Sequence, residues 1–341
     1  MKTSAWNAIG REDLELSTQL VIAEAERRGH MVEVLDAPSN FIRISGNGIT
    51  EYLRQATRTS ADTYISALLM ENKKVTKHVL GEAGIRVPEG RDYAGLEALL
   101  SDWPYWETRE ALVVKPNATN FGTAVFIFKR PFCRADFSRA AEAAFREDSI
   151  VLVEDFIRGA EYRFLVIDGV TRAVLHRVPA NVTGDGVSSV ARLIEAKNAD
   201  PRRGEGYVRP LEKLRLGPEE TRYLADRGLS PDSVPEAGLT VYLRENSNIS
   251  TGGDSLDYTD DVHEGYKDLA VAAAAAAGAK ICGVDMMIED VEAEPTGDNY
   301  GIIELNFNPA LHIHDFPYRG ENRNVERYVL DLLGFQEREA L

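Results

Sequence analysis

ICGVDMMI, residues Ile281 to Ile288, and IIELNFNP, residues Ile302 to Pro309, are two apolar runs of strand length, each interrupted by an acid. Short runs rich in Ile, Val and Phe read as buried strands. Positions i and i+2 of a strand point to the same face, so Glu304 and Asn306 converge on one side. Asp285 in the first run adds a second carboxylate. Two carboxylates and an amide oxygen suit Mg²⁺, which takes hard oxygen ligands and relies on phosphate and water for the rest. The competing reading, polar residues at strand ends, leaves acids among Ile, Leu and Phe, where a core has little use for them.

Working outward, a helix is expected over Tyr266 to Ala279, before the first run, and an amphipathic helix over Asn324 to Leu333 after the second. Arg163 to Ile167 and Arg172 to Arg177 read as antiparallel strands turned by Asp168-Gly169. Ile150 to Glu154, Ala124 to Phe128 and Leu112 to Lys115 read as further strands, with a helix over Ala135 to Phe145. Ala180 to Gly253 is polar and rich in Gly, Pro, Asn and Arg, with a short helix near Ser189 to Lys197; it is either a flexible insert or a binding region held by packing. Towards the N-terminus, helices are expected over Glu12 to Arg28, closed by Gly29, and over Leu68 to Ala83, closed by Gly84. Met31 to Leu35 alternates as a strand, and Pro88 to Arg91 reads as a linker. The fold class is therefore α/β with α+β sub-domains: an N-terminal α/β segment (1–88), a small lobe (89–155), and a large lobe (156–341) carrying the insert 180–253.

The chain has 341 residues, with 39 Lys+Arg against 55 Asp+Glu and a net charge of -16. That surface repels nucleic acid and anionic lipid, and neither is expected as a partner. A bound nucleotide stays open, provided a few cations gather in one cleft. Cys133 and Cys282 form neither a disulfide framework nor a metal spacing. The start shows no secretory signal, and the longest apolar run, Leu269 to Ala277, is too short to span a bilayer; the cytoplasm is the expected compartment.

Two other stretches carry candidate chemistry. Lys115 ends LVVKP, and NATNFGTAV after it, with Asn120 and Gly122, is a small-residue turn whose backbone N–H groups could wrap phosphate. In VLVEDFIRGAEYR, Glu154 and Glu161 could accept from ribose hydroxyls while the main chain of Asp155 to Ile157 pairs with an adenine edge. Lys73 in MENKKVTK is either a phosphate ligand or a solvated helix lysine. His312 and His314, at i and i+2 on an expected strand end, lack a third zinc ligand and read as substrate contacts or packing. Cys282 reads as a buried structural thiol.

Taken in this order, a lysine-bearing helix, a Lys-Pro strand, an adenine hinge, then Asp and Glu-x-Asn, the chain resembles the ATP-grasp superfamily. LELSTQLVIAEA, LMENKKVTKHVL, HRVPANVTGDG, NADPRRGEGY, LRENSNISTGGDSLDYTDD and IIELNFNPALHIH are similar to the glutathione-synthetase half of bifunctional glutamate–cysteine ligase/glutathione synthetases. The likeness runs from about Leu14 to Phe335, and some phrases are shared with cyanophycin synthetase. The resemblance implies an ATP-grasp fold and an ADP-forming ligase that makes an acylphosphate on γ-glutamylcysteine and passes it to glycine, forming glutathione. ATP and Mg²⁺, with Mn²⁺ as an alternative ion, are the implied cofactors, and a homodimer the implied assembly. Alternatives are another peptide or amino-acid polymer as substrate, or a non-catalytic nucleotide-binding protein.

Residue by residue, the resemblance implies ATP contacts for Lys73, Lys115, Glu154 and Glu161, and metal roles for Asp285, Glu304 and Asn306. Arg163, Arg177 and Arg244 match motif arginines suited to the phosphoryl group. Asn246, Asn248 and the Ser250-Thr251-Gly252-Gly253 turn are implied to close over the reacting carboxyl. Some relatives carry an arginine two residues before the metal aspartate. Here that position is Gly283, so Arg244 or Arg177 is expected to supply the charge.

Overall fold

Helix Leu16–Arg27 opens the computed structural model, which describes residues 11–119 and 123–336. Strands β1 (Met31–Asp36), β2 (Phe41–Gly46) and β3 (Ile49–Arg54) follow as an antiparallel meander. Only β1 was expected from the sequence. The signal for β2 and β3 is nevertheless there. Asn47-Gly48, both at positive φ (52° and 75°), makes the two-residue hairpin turn between runs that alternate buried and exposed.

The single helix expected over 68–83 is two helices, Tyr64–Glu71 and Lys73–Glu82. Asn72 divides them: its backbone is extended, and its side chain accepts from the Val75 amide at 3.1 Å. An asparagine offers the backbone this alternative to the helical ladder, which ends one helix and caps the next. Lys73 thereby becomes the first residue of a new helix.

Part of the expected linker is a strand, β4 (Gly90–Tyr93), at the edge of a four-stranded sheet ordered β4-β7-β5-β6. Its other members are β5 (Ala111–Pro116), β6 (Phe126–Lys129) and β7 (Val151–Asp155). β6 starts two residues later than expected because Ala124, at φ 53°, belongs to the turn before it. Helix Arg134–Glu147 lays Phe137, Ala140, Ala141 and Ala144 against the apolar face of β5 and β7.

β8 (Ala160–Ile167) and β9 (Val170–Val178) form the expected hairpin, with Asp168 and Gly169 at φ 51° and 70°. The insert after it is ordered structure, not a flexible loop. β10 (Asn181–Thr183) pairs with β13 (Thr240–Tyr242), and β11 (Arg203–Gly204) with β12 (Leu211–Glu212). Helices Val190–Asn198 and Pro218–Ala225 pack with them around Val182, Val190, Leu214, Leu224 and Leu243. β14 (Asp254–Asp257) returns the chain to a five-stranded antiparallel sheet, β14-β9-β8-β15-β16, completed by β15 (Ile281–Ile288) and β16 (Tyr300–Asn306).

Strand alternation gives this sheet two buried faces. Tyr162, Phe164, Val166, Cys282, Val284 and Met286 face helix Glu264–Ala276, with Met70, Leu80 and Ile85 in the same core. Leu165, Ile167, Ala173 and Ile281 face the other way, against Val21, Ile22 and Ala25 of the first helix and Val329 and Leu330 of helix Glu326–Leu332. The N-terminal segment therefore shares both of its cores with the large lobe. Arg28 ties the two ends together, reaching Asp331 at 2.6 Å and the Phe335 carbonyl at 2.7 Å.

Candidate functional site

The second face of the large sheet is apolar only at one end. Two residues along β8 from Leu165 comes Arg163, and two further Glu161; on β9 the same face carries Arg177, and on β15 and β16 it carries Asp285, Glu304 and Asn306. Arg163 stands opposite Asp285, Asp285 opposite Glu304, and Glu161 opposite Arg177. The register shifts beside Asp285: it pairs with Glu304 while Met286 pairs with Ile302, leaving Ile303 as a bulge. Such an extra residue re-aims its neighbours, here keeping Glu304 on the charged face while Ile302 stays in the core.

Asp285 is 1% exposed and is held by two arginines. Arg163 donates to both of its oxygens, through Nε and through Nη2 (2.6 Å), and Arg177 Nη1 lies 2.9 Å away. Asn306 adds an amide N–H at 3.2 Å. Burial alone would raise the Asp285 pKa, but the two guanidinium groups outweigh it and hold the carboxyl below its ordinary range. Arg177 also bridges to Glu161 at 2.8 Å and donates to the Asn248 side chain. Glu161 accepts from Ser247 and is pushed up by burial despite Arg177.

Gly283 explains where the neighbouring charge comes from. A Cβ there would lie 3.1 Å from Arg163 Cδ and 3.2 Å from Pro309 Cβ. The absent side chain leaves room for Arg163, which crosses from the adjacent strand to Asp285. Of the two arginines expected to supply the charge, Arg177 reaches Asp285, and Arg163 joins it. Arg244 is instead engaged by Glu220 and by Glu219 at 3.0 Å on the insert.

A lysine cluster faces this web. Lys73 lies 3.5 Å from Glu304 and donates to the Thr119 carbonyl at 2.6 Å. Lys115 reaches Glu154 at 3.0 Å, and Lys77, one turn after Lys73, pairs with the other Glu154 oxygen. Burial and the charge of Lys73 bring Lys115 down to about 8, and burial and Lys115 lower Lys77 well below the ordinary lysine range. Lys77 was not singled out from the sequence, although its i, i+4 spacing from Lys73 puts both on one helix face. Glu154, 3% exposed between two lysines, is committed to them rather than presented as a free acceptor.

Two cavities meet here. The larger, about 840 Å³, runs between the two sheets and is lined by Lys73, Lys115, Glu154, Asp155, Ile157 and Arg244, among others. Glu161 and Asn246 also line it. The smaller, about 250 Å³, is walled by Arg163, Asn306, Tyr207, Glu212 and His312, and by Glu15 and Arg58 of the N-terminal segment. Arg177, Asn248 and Glu304 line both. Ser250 borders the smaller cavity, whereas Thr251, Gly252 and Gly253 line neither. Gly252, at φ 94° with its Cα side against Leu214, and Gly253, against the Val178 carbonyl, let the loop pack behind the wall. Asn120 and Gly122 lie outside the described residues.

The remaining sequence expectations place simply. His312 and His314 sit in a short helix, His312–Asp315, not on a strand. His312 Nδ1 is 2.8 Å from Ser17 Oγ and burial brings it down to about 4, so it stays neutral. Cys282 is buried and pushed up to about 12 by burial, an inert thiol. Among the described residues no cluster of three His, Cys, Asp or Glu is poised for a metal, and no helix is long and apolar enough to cross a membrane.

Known proteins carry the same architecture. A family described as an ATP-grasp-like domain matches residues 12–65, the segment that supplies Glu15 and Arg58 to the smaller cavity. The crystal structure of a bifunctional glutathione synthetase from Pasteurella multocida superposes with a TM-score of 0.72 at 45% identity, over 95% of this chain and 44% of that one. The fold is ATP-grasp. The glutathione biosynthesis bifunctional protein of Clostridium perfringens is 52% identical over 332 residues, 97% of this chain and 42% of that protein. Its counterpart in Desulfotalea psychrophila is 50% identical over 326 residues. This ATP-grasp chain thus spans about two-fifths of the length of the curated relatives it matches.

Proposed function

We propose that this ATP-grasp chain is an ADP-forming carboxylate–amine ligase that joins γ-glutamylcysteine to glycine. The observation that carries the reading is the junction of two cavities at Arg177, Asn248 and Glu304. A lysine-lined cleft suits a triphosphate and an arginine-lined one suits a carboxylate, so their shared wall is where a phosphoryl group would pass between them. The names of the bifunctional relatives support glutathione as the product.

Lys73 and Lys115 bind the phosphates, and the Asp155–Ile157 main chain receives the adenine edge. Glu154 acts on the nucleotide through Lys77 and Lys115, which it holds in place. Glu304 and Asn306 border the cavities and would hold Mg²⁺ or Mn²⁺ through their side-chain oxygens. Asp285, on the same sheet face but buried with both oxygens taken by Arg163 and Arg177, would join them only where a guanidinium yields an oxygen to the ion. Bound there, the ion would neutralise phosphate charge as it develops. The dipeptide's cysteinyl carboxylate attacks the γ-phosphorus, and the bond to the β,γ-bridging oxygen breaks, giving the acylphosphate and ADP. Arg163 and Arg177 steady the carboxylate and the transferring group. The glycine amine then attacks the carbonyl carbon, phosphate departs with one former carboxylate oxygen, and the amine loses a proton.

The test is phosphate release by purified protein with ATP, Mg²⁺, γ-glutamylcysteine and glycine, with oxygen-18 in the cysteinyl carboxylate. The label should appear in phosphate. AMP and pyrophosphate as products would overturn the mechanism, and label in phosphate only with another acid would overturn the substrate.

A further inference from the structure

The smaller cavity is lined by three arginines, and they are not equivalent. Arg163 and Arg177 are neutralised by Asp285, with Glu161 adding to Arg177. Arg58 has neither an ion pair nor a side-chain hydrogen bond with any described residue. Its Nε is shut off from solvent without a partner, and its guanidinium stacks on the Phe307 ring at 4.8 Å. Burial and the nearby Arg54 disfavour its charge, and Glu71 and Glu15 offset this only from a distance. A half-buried guanidinium whose Nε is hidden and unpartnered is a ready donor for an anionic ligand entering the cavity.

The local backbone holds Arg58 there. Gln55 and Ala56 both adopt positive φ (51° and 65°), uncommon for non-glycine residues, and Arg54 and Arg58 exchange backbone hydrogen bonds at 2.9 and 3.1 Å. Gln55 is fixed in turn, donating to Glu15 at 3.1 Å and accepting from Asn308 at 3.2 Å. Glu15 and Glu71 also line the cavity, so carboxylates border it within electrostatic reach of the unpaired guanidinium. Together they match the two charges of an amino-acid head.

We propose that Arg58 is the specificity residue for the acid substrate, binding a second carboxylate distinct from the one that reacts, with Glu15 taking the adjacent ammonium. This rests on the ligase reading above and deepens it: the substrate class is a dipeptide whose far end is a free α-amino acid, as a γ-linked glutamyl residue provides and an ordinary α-linked residue does not. Arg163 and Arg177 face the reacting carboxylate; Arg58 reads the linkage.

The experiment compares wild type, Arg58→Ala and Arg58→Lys with γ-glutamylcysteine and with 4-aminobutyrylcysteine, the same dipeptide lacking only the distal carboxylate. Wild type should prefer γ-glutamylcysteine in KM by about 10- to 100-fold, the strength of a charge-assisted pair. Arg58→Ala should lose that preference, with the KM for ATP unchanged as evidence of an intact fold, and Arg58→Lys should recover part of it. An equal rise in KM for both dipeptides in Arg58→Ala, or no preference in wild type, overturns the assignment while leaving the ligase reading standing. Wild type that neither binds γ-glutamylcysteine by calorimetry nor turns it over overturns both.

Discussion

The two cavities are built from opposite kinds of sequence. The larger has, on its sheet side, lysines that each come from a short motif, Lys73 on a helix and Lys115 at the end of β5, with Lys77 behind them and arginines such as Arg244 across the cleft. The smaller takes its charges from Glu15, Arg58, Arg163, Glu212 and Glu304, scattered over nearly the entire chain. The chemistry differs as well. Lysine presents a compact charge whose pKa the site can move, while arginine presents a fixed fork that stays protonated. A triphosphate needs charge density, whereas a carboxylate needs a planar pair of donors. The comparison teaches that the lysines of the larger cavity are tunable by pH and the arginines of the smaller one are not.

The largest expected effect lies on the arginine side. Arg163→Ala leaves Asp285 buried beside one arginine instead of two, a loss of about 3–5 kcal/mol of stability and a fall in Tm on the order of 5–10 °C. Arg163→Lys should restore much of the Tm but little activity, because it keeps the charge and loses the fork. Full activity in Arg163→Lys would break the distinction drawn here.

Next comes the shared wall. Glu304→Gln should lower kcat by roughly 10²–10³-fold with Tm nearly unchanged, since Glu304 is partly exposed at the junction and its ion pair with Lys73 is long at 3.5 Å. Near-normal turnover in the folded variant would remove Glu304 from the machinery.

On the lysine side the effect depends on pH. Lys115 is charged below about 8 in the folded protein and neutral above it. The KM for ATP should therefore be lowest below pH 8 and rise through pH 8–9.5, and Lys115→Arg, charged throughout, should show no such rise. The same depressed pKa makes the unfolded chain bind the extra proton between about 8 and 10.5, so this group favours the folded state increasingly as pH rises through that window. A KM profile identical in wild type and Lys115→Arg would place the titration elsewhere.

The smallest effect serves as the control. Lys129 also borders the larger cavity, but it is exposed and paired with Glu245 at 3.0 Å, a contact worth about 0–1 kcal/mol. Lys129→Ala should change the KM for ATP by less than about threefold.

What could be read beforehand follows the same division. Asp285, Glu304 and Asn306 were legible because strand alternation is a local rule and their run breaks it with acids. The Asp168-Gly169 hairpin was legible for the same reason. The signals for Lys77, its i, i+4 spacing from Lys73, and for β2 and β3, the Asn47-Gly48 turn, are local in the same way. Arg58 was not legible at all. Its meaning depends on Phe307 and on partners it lacks, and no local pattern encodes the absence of a partner. The insert is hard to read from sequence because its core of scattered Val and Leu residues, between Ala180 and Leu243, has no regular period.

The bond between Arg28 and the stretch 331–335 bears on synthesis as much as on stability. The second face of the large sheet is closed jointly by the first helix and by helix Glu326–Leu332, some three hundred residues later. A chain emerging from the ribosome therefore carries the first helix, Leu16–Arg27, covered only by its own meander until the large sheet and the last helix appear. Contacts of such separation are slow to form and expose sticky surface meanwhile. The four-stranded sheet, whose partners all lie between residues 90 and 155, can fold while that first helix still waits for its cover.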